Sequence, residues 1–401
     1  MTDIRHLAAG LALALLAVAS ARAATFHTID DKTIEGDLAD VDARGVMTVN
    51  AAGGQPVKLP ADELMRVDFT ADREPDELID GVVAYLPGGD RVNGTLVRSS
   101  PTGVELQSRS LRKLTLKIES LLAIEFRRAG EQPKDAAKLR ARMLANTGKN
   151  DVSFSATGDQ MPGILVGFDG KSVRLKTALG EMPFQCSRLF GLSFAARARR
   201  PEPPELLAVV RCVDGSLVTG RLRATDTGGI RLALLAGPEL DIPARQIIDV
   251  GFKNGKLVYL SDLKPVKAGY RPYFSGDHTW PYRPDQTYDR KPIRLAGKAH
   301  RKGLGTFSGM TLTYALGGAF SKFAALVGID DADVNHQGDV TVRVLADGKE
   351  AFKKAGLTRK TGPVRVALPM KGVKTLTLVV EFGGNMHFGD LTDWANAHLI
   401  R

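Results

Sequence analysis

Cysteine is scarce in this chain: Cys186 and Cys212 are the only two among 401 residues. Two thiolates are too few for a zinc–thiolate centre. In an oxidising compartment they can pair, closing a loop of about 25 residues worth about 3 kcal/mol in the chain-entropy model. Alternatively they are two small buried hydrophobes. Tryptophan is as rare, with Trp280 and Trp394 alone. After residue 18 no stretch is apolar enough to read as a membrane span. Also missing are a Gly-x-Ser-x-Gly elbow, a His-Glu-x-x-His helix and a phosphate loop. These absences set aside the commonest hydrolase, metalloprotease and nucleotide-dependent chemistries.

What is present begins with a polar start holding Arg5 and His6, an apolar run over residues 7–18, and Ala21-Arg22-Ala23. That order reads as a signal peptide over residues 1–23, cleaved near Ala23, which sends the chain to the periplasm or outside the cell. No cysteine follows the run to carry a lipid anchor. Export changes the meaning of the net charge of +10. Inside a cell such a charge points to nucleic acid. Outside, the available polyanions are acidic polysaccharide, lipopolysaccharide and anionic membrane surface, so nucleic acid is not expected as a partner. The simpler account is that these Lys and Arg residues solvate loops. A hydrophobic content of 43% supports real cores, and the length supports several domains.

An internal repeat organises the first two thirds. A glycine after a polar turn recurs at Gly36, Gly94, Gly163 and Gly220, and a phenylalanine closes an apolar strand 31 to 33 residues later, at Phe69, Phe126, Phe194 and Phe252. The clearest copy runs Val213-Asp214-Gly215-Ser216-Leu217, with a hairpin turn at Asp-Gly and alternating apolar residues on either side. The pattern predicts β-rich units at 24–70, 81–127, 151–195 and 206–253. Five short strands bury a common face most easily by curling into a small barrel, as SH3-like and Sm-like folds do. Residues 213–234 resemble the first half of an Sm motif, a similarity of architecture only. Between the second and third units, residues 128–150 predict a basic connector helix that starts at Pro133 and stops by Asn146 and Gly148. Such a helix either meets an anionic surface or covers a barrel edge. The stretch 195–206, with three prolines and Arg197, Arg199 and Arg200, reads as a stiff linker.

The last third changes character. Strands alternate at Val340-Thr341-Val342-Arg343-Val344 and at Val364-Arg365-Val366, separated by Gly and Asp turns, which predicts a β-sandwich over 267–401. In order come Lys302-Gly303-Leu304-Gly305-Thr306, Tyr314-Ala315-Leu316-Gly317-Gly318, Val327-Gly328-Ile329-Asp330-Asp331, Asp347-Gly348-Lys349 and Asp390-Leu391-Thr392-Asp393-Trp394. Together these resemble the NPCBM/NEW2 family of carbohydrate-binding modules. The resemblance implies a galactose-binding-like jelly roll and a glycan or cell-surface polysaccharide as partner. The expected architecture is therefore all-β: tandem SH3/Sm-like barrels followed by a jelly-roll sandwich.

Sugars are held by aromatic faces stacked on their C–H surfaces and by carboxylates or amides that meet their hydroxyls. Residues 269–289 are rich in aromatics, and Trp280 and Tyr282 are the expected platform; the alternative is a strap that buries its own rings. Asp330, Asp331, Asp390, Asp393 and Trp394 complete the candidate carbohydrate-binding set. Asp330 and Asp331 are also candidates for a structural Ca²⁺, or for capping turns. Many members of the family carry Gly-Thr-His and Asp-His-x-Asp-Trp where this chain has Gly305-Thr306-Phe307 and Asp390-Leu391-Thr392-Asp393-Trp394. Two polar groups are thus replaced by Phe307 and Leu391.

No catalytic residues are assigned. The expected function is an exported, non-catalytic carbohydrate- or cell-surface-binding protein whose repeats act as a spacer or as a platform for an envelope protein. The alternatives are an envelope assembly protein without sugar binding, and a glycoside hydrolase or its accessory. A hydrolase would need two carboxylates about 5–10 Å apart in a cleft. Its usual barrel has no room beside the repeats.

Overall fold

The computed structural model describes residues 23–401 apart from 52–53, 71–72, 101, 131–132, 169–170, 196–202, 236, 275–279, 334 and 336. Residues 1–22 of the expected signal peptide and residues 196–202 of the expected linker lie outside the described residues. Among the described residues no helix is long and apolar enough to cross a membrane.

In the first unit the strands are Ala24–Thr28, Thr33–Val41, Val46–Ala51, Pro56–Pro60 and Leu64–Asp68, with a 3₁₀ turn at Ala61–Glu63 before the last. The other units repeat this order, with first and fifth strands at Gly81–Tyr85 and Ala123–Arg127, Asp151–Ser155 and Leu189–Ser193, and Leu207–Cys212 and Ile247–Lys253. Each first strand pairs with both the second and the fifth strand of its own unit, which curls the sheet. The bend has a local cause. In three units the second strand carries a bulge, at Leu38/Asp40, Leu96/Arg98 and Leu165/Gly167, and a bulge sharpens twist and turns a strand. The repeated glycine has a cause too. A Cβ at Gly36, Gly94, Gly163 or Gly220 would lie 2.5, 2.5, 3.0 or 2.3 Å from a carbonyl oxygen of the third strand. Only glycine permits that approach.

The four units do not follow one another as a spacer in chain order. The fifth strands of units one and four pair antiparallel, with Val67 opposite Val250. Those of units two and three pair the same way, with Ile124 opposite Leu192. Units two and four share a buried polar joint: Asp90 accepts from the Thr219 amide and hydroxyl, both at 2.7 Å, and Asp214 accepts from the Ser108 hydroxyl at 2.7 Å. One hydrophobic core runs through all four. Pairing removes edges that would otherwise stay open. The helix Ala136–Leu144 covers the joint of units two and three, with Leu139 and Met143 packed against Ala123, Phe154 and Phe190. Its Arg140 meets the fully buried Glu125 at 2.6 and 2.8 Å, beside Arg127 and the Tyr85 hydroxyl.

The two cysteines are not joined to each other. Cys212 is fully buried in the fourth unit, while Cys186 opens a 3₁₀ turn in the third. Burial pushes the Cys212 thiol well above its ordinary pKa. The small-hydrophobe account fits Cys212.

The C-terminal part is a sandwich. One sheet runs Arg283–Pro284, Gly303–Phe307, Leu391–Ile400, Lys322–Ile329 and Val364–Pro369. The other runs Lys267–Tyr270, Met310–Ala315, Thr375–Phe382, Asp339–Ala346 and Lys349–Thr358. Leu257–Tyr259 adds to the end of Leu391–Ile400, so the sandwich begins earlier than the strand pattern from 267 onward indicates. Ion pairs then fix it to the repeats: Asp31 of unit one with Lys322 at 2.8 Å and Arg365 at 2.5 Å, and Arg301 with Asp249 of unit four.

Candidate functional site

The end of the sandwich where Thr375–Phe382 stops is built from two segments. Residues 271–274 cross it after Lys267–Tyr270, held by the Arg271 amide donating to the Gly309 carbonyl at 2.9 Å. Gly309 has φ +83° and its missing Cβ would collide with the Arg271 carbonyl oxygen at 2.1 Å, so glycine is required there. The second segment is the loop 383–390, which returns to the strand Leu391–Ile400.

Aromatic rings bind the two segments together. Tyr273 stands edge-on to Phe274 at 5.1 Å and to Phe382 at 5.0 Å. His387 lies 5.9 Å from Tyr273 and 5.5 Å from Phe274, and Phe388 stacks on it at 5.0 Å. Phe307 links this group to Trp280, at 6.5 Å from His387 and 4.1 Å from Trp280. Exposure rises steeply outward: Phe307 is 3% exposed, whereas Tyr273, Phe388 and Phe274 are 45, 47 and 59% exposed. Met386, also at the rim, takes φ +68°, a conformation uncommon for a residue with a side chain.

Buried carboxylates hold the loop from beneath. Asp333 accepts from the Gly338 amide at 3.0 Å and lies against Gly389, where a Cβ would sit 2.8 Å from its Oδ1. Asp390 is fully buried and accepts from the Asp339 amide at 3.0 Å. Burial, with Asp339 and Asp333 near, pushes its pKa up to about 6. Asn385 donates to the Gln337 and Phe388 carbonyls and so ties the loop to Gln337. Asn335 and Gln337 are exposed there.

The sequence-predicted residues divide. Trp280 and Tyr282 are half-buried against the sandwich core, and Tyr288 stacks on Trp280 at 4.4 Å with planes 21° apart. That stacked face is occupied by protein. Trp394 pairs opposite Leu304 and Val327 and is fully buried in the core, so it offers no face to a ligand. Asp330, Asp390 and Asp393 are at most 2% exposed. Asp330 caps a turn through the Ala332 amide at 2.7 Å, and Asp331 accepts from the Gly297 amide at 2.8 Å and from Arg359. Burial, and then its hydrogen bond with Asp330, push the Asp393 pKa well above the ordinary carboxylate range. Among the described residues no three His, Cys, Asp or Glu side chains are placed to hold a metal ion. The donors at Asp330 and Asp331 are spent on turns.

Of the rim residues, Tyr273 and Phe274 lie in the aromatic stretch 269–289 that the sequence pointed to, whereas sequence reasoning passed over Met386 and Phe388. Their signal was Met386-His387-Phe388 enclosed by Gly383-Gly384 and Gly389, an apolar group between turn residues.

The NPCBM/NEW2 family model matches residues 256–400. Those residues form an NPCBM/NEW2 domain. The NPCBM/NEW2 domain begins with the added strand Leu257–Tyr259. A relative from Renibacterium salmoninarum, named as a candidate endo-alpha-N-acetylgalactosaminidase, is 30% identical over 112 residues; the match covers 28% of this chain and 7% of that protein. This chain therefore matches only a small part of that relative. Among solved structures, the carbohydrate-binding module CBM51 of Clostridium perfringens GH95, in complex with methyl-galactose, is 26% identical; the match covers 36% of this chain and 99% of that one, with a TM-score of 0.33. The CBM51-2 and INT domains of Clostridium perfringens ZmpB are 25% identical, over 37% of this chain and 32% of theirs, also with a TM-score of 0.33. By the match to its family model, the NPCBM/NEW2 domain belongs to a family of carbohydrate-binding modules, and such a module is not itself catalytic.

Proposed function

We propose that this protein is an exported, non-catalytic glycan-binding protein. It holds a carbohydrate at the aromatic end of its NPCBM/NEW2 domain, and its four N-terminal units form a platform for a protein of the cell envelope. The observation that carries this reading is the exposed ring cluster of Tyr273, Phe274 and Phe388 around His387. Exposed aromatic faces suit the C–H surface of a pyranose. The neighbouring Asn335 and Gln337 amides both donate and accept, as sugar hydroxyls require. Family membership supports the same ligand class.

Burial speaks against hydrolysis. Asp330 and Asp393 form a buried carboxyl pair, and both groups are at most 2% exposed. A substrate cannot reach them without unfolding the loops above.

The test is a glycan array probed with residues 24–401, repeated with Phe274→Ala plus Phe388→Ala. A retained glycan that the double variant binds about tenfold more weakly, with an unchanged thermal melt, supports the reading. Undiminished retention by the double variant removes the platform. Capture of an envelope protein with no glycan retained by the native chain moves the protein to an assembly role.

A further inference from the structure

The net charge is not spread evenly. Residues 256–401 hold 22 Lys and Arg against 13 Asp and Glu, a net of +9, whereas residues 24–255 hold 31 of each. Nearly all of the excess therefore sits on the NPCBM/NEW2 domain. Four of its acids, Asp330, Asp333, Asp390 and Asp393, are buried and present no charge to a surface ligand.

Part of the excess is gathered along one edge. The strand Lys349–Thr358 closes its sheet and pairs on one side only, with Asp339–Ala346. It carries Lys349, Lys353 and Lys354. The turn holding Lys371 and Lys374 meets the same end of the sheet as Lys349, because the Lys374 and Thr375 amides donate to Asp347 at 2.9 and 2.8 Å. Lys360 lies just past the other end. That end adjoins the aromatic site: Thr358 is opposite Asp339, whose carboxylate accepts from the Gly384 amide at 2.9 Å. Among the described residues none of these six lysines lies within 4 Å of a carboxylate, although Lys374 acts on the Asp347 carboxylate at longer range, and the one acid on the strand, Glu350, is engaged by Arg343 at 2.5 Å. Lysines on an edge strand also deter strand addition. That role accounts for the three on the strand but not for Lys360, Lys371 and Lys374 on the turns at its ends.

We infer that the NPCBM/NEW2 domain takes an acidic polysaccharide, with the polymer's anionic groups lying along this lysine-bearing edge and one end of the chain at the aromatic site. The inference rests on the glycan-binding reading and specifies its ligand class. Across the bulge in this strand Lys349 and Lys353 lie opposite Ala346 and Arg343, three ladder positions or about 10 Å apart, a span that charged sugars of a linear polymer can match.

The test uses residues 24–401 with polygalacturonate as the acidic probe and a neutral galactan as the control, at 50 and 500 mM NaCl. Polygalacturonate is expected to bind at least about tenfold more tightly than galactan at low salt and to lose that advantage at high salt. Replacing Lys349, Lys353, Lys371 and Lys374 by Gln is expected to weaken polygalacturonate binding about tenfold while galactan is unaffected, and Arg at the same four positions is expected to preserve it. Equal retention of the two polymers overturns the inference and leaves the glycan-binding reading standing. So does an acidic preference that survives the Gln variant, or capture by phosphatidylglycerol vesicles without polygalacturonate binding. Retention of neither polymer overturns both.

Discussion

Asp393 shows how position alone decides what a carboxyl group does. It lies opposite Gly305 on one side and Gly328 on the other, hidden from water, with Asp330 as its partner. A carboxyl whose folded pKa is raised is destabilising wherever the folded state must ionise or hold extra protons. For Asp390, with a folded pKa of about 6 against an ordinary 3.8, that penalty is absent below pH 3.8 and grows to its full size above about pH 6. Asp393 adds a penalty of the same sign. The melting temperature is therefore expected to carry a component that falls from pH 4 to pH 7. Asp393→Asn, which keeps the shape of the protonated acid, should reduce that fall and raise the melting temperature at pH 7. A variant with an unchanged slope in thermal melts would show that Asp393 is already charged. At the same scale, Trp280→Ala plus Tyr282→Ala should lower stability by about 3 kcal/mol or more in urea titration while leaving glycan retention in place, since these rings pack on the core.

Among elements, the repeated glycine and the strand bulge act together. The bulge turns the second strand from one half of the unit to the other, and the glycine lets the third strand close on it. Gly220→Ala places a Cβ 2.3 Å from the Ala233 carbonyl oxygen, against backbone that has little room to move. A loss of about 2–3 kcal/mol is expected in chemical denaturation. The repeat spacing was legible because such positions cannot be traded for other residues. The helix Ala136–Leu144 was legible in place, and covering a barrel edge was one of the two roles expected of it. Only the packing shows that Arg140 serves the buried Glu125. Glu125→Ala leaves Arg127 and Arg140 without their shared partner and is expected to cost about 3–5 kcal/mol.

At the scale of the whole molecule, the units join one to four, four to two and two to three, so contacts far apart in sequence hold the block together. The sandwich is fastened to that block by ion pairs of Lys322 and Arg365 with Asp31 and of Arg301 with Asp249, and its own first strand, Leu257–Tyr259, pairs with Leu391–Ile400. A fragment starting at residue 267 loses Leu257–Tyr259 and the fully buried Leu260, and bares the edge at His398 and Ile400. It is expected to be markedly less stable than a fragment starting at residue 254, and to aggregate more readily by light scattering. Equal behaviour of the two would show that the added strand is dispensable.

Sequence alone determined the strand-rich character, the fourfold period, the NPCBM/NEW2 resemblance and its likeness in motif order. Each depends on local chemistry: period-two alternation, turn residues, and glycines at points of close approach. Tertiary structure decided which side chains can meet a ligand. Alternation along Leu391–Ile400 says that Trp394 and Asp393 face opposite ways, but not that both faces are covered. Trp280 looked like a platform and was covered by Tyr288, while Tyr273, Phe274 and Phe388, from segments more than a hundred residues apart, came together at the rim. Exposure is a property of what packs on a residue, and that neighbour is set by chain folding rather than by adjacent sequence.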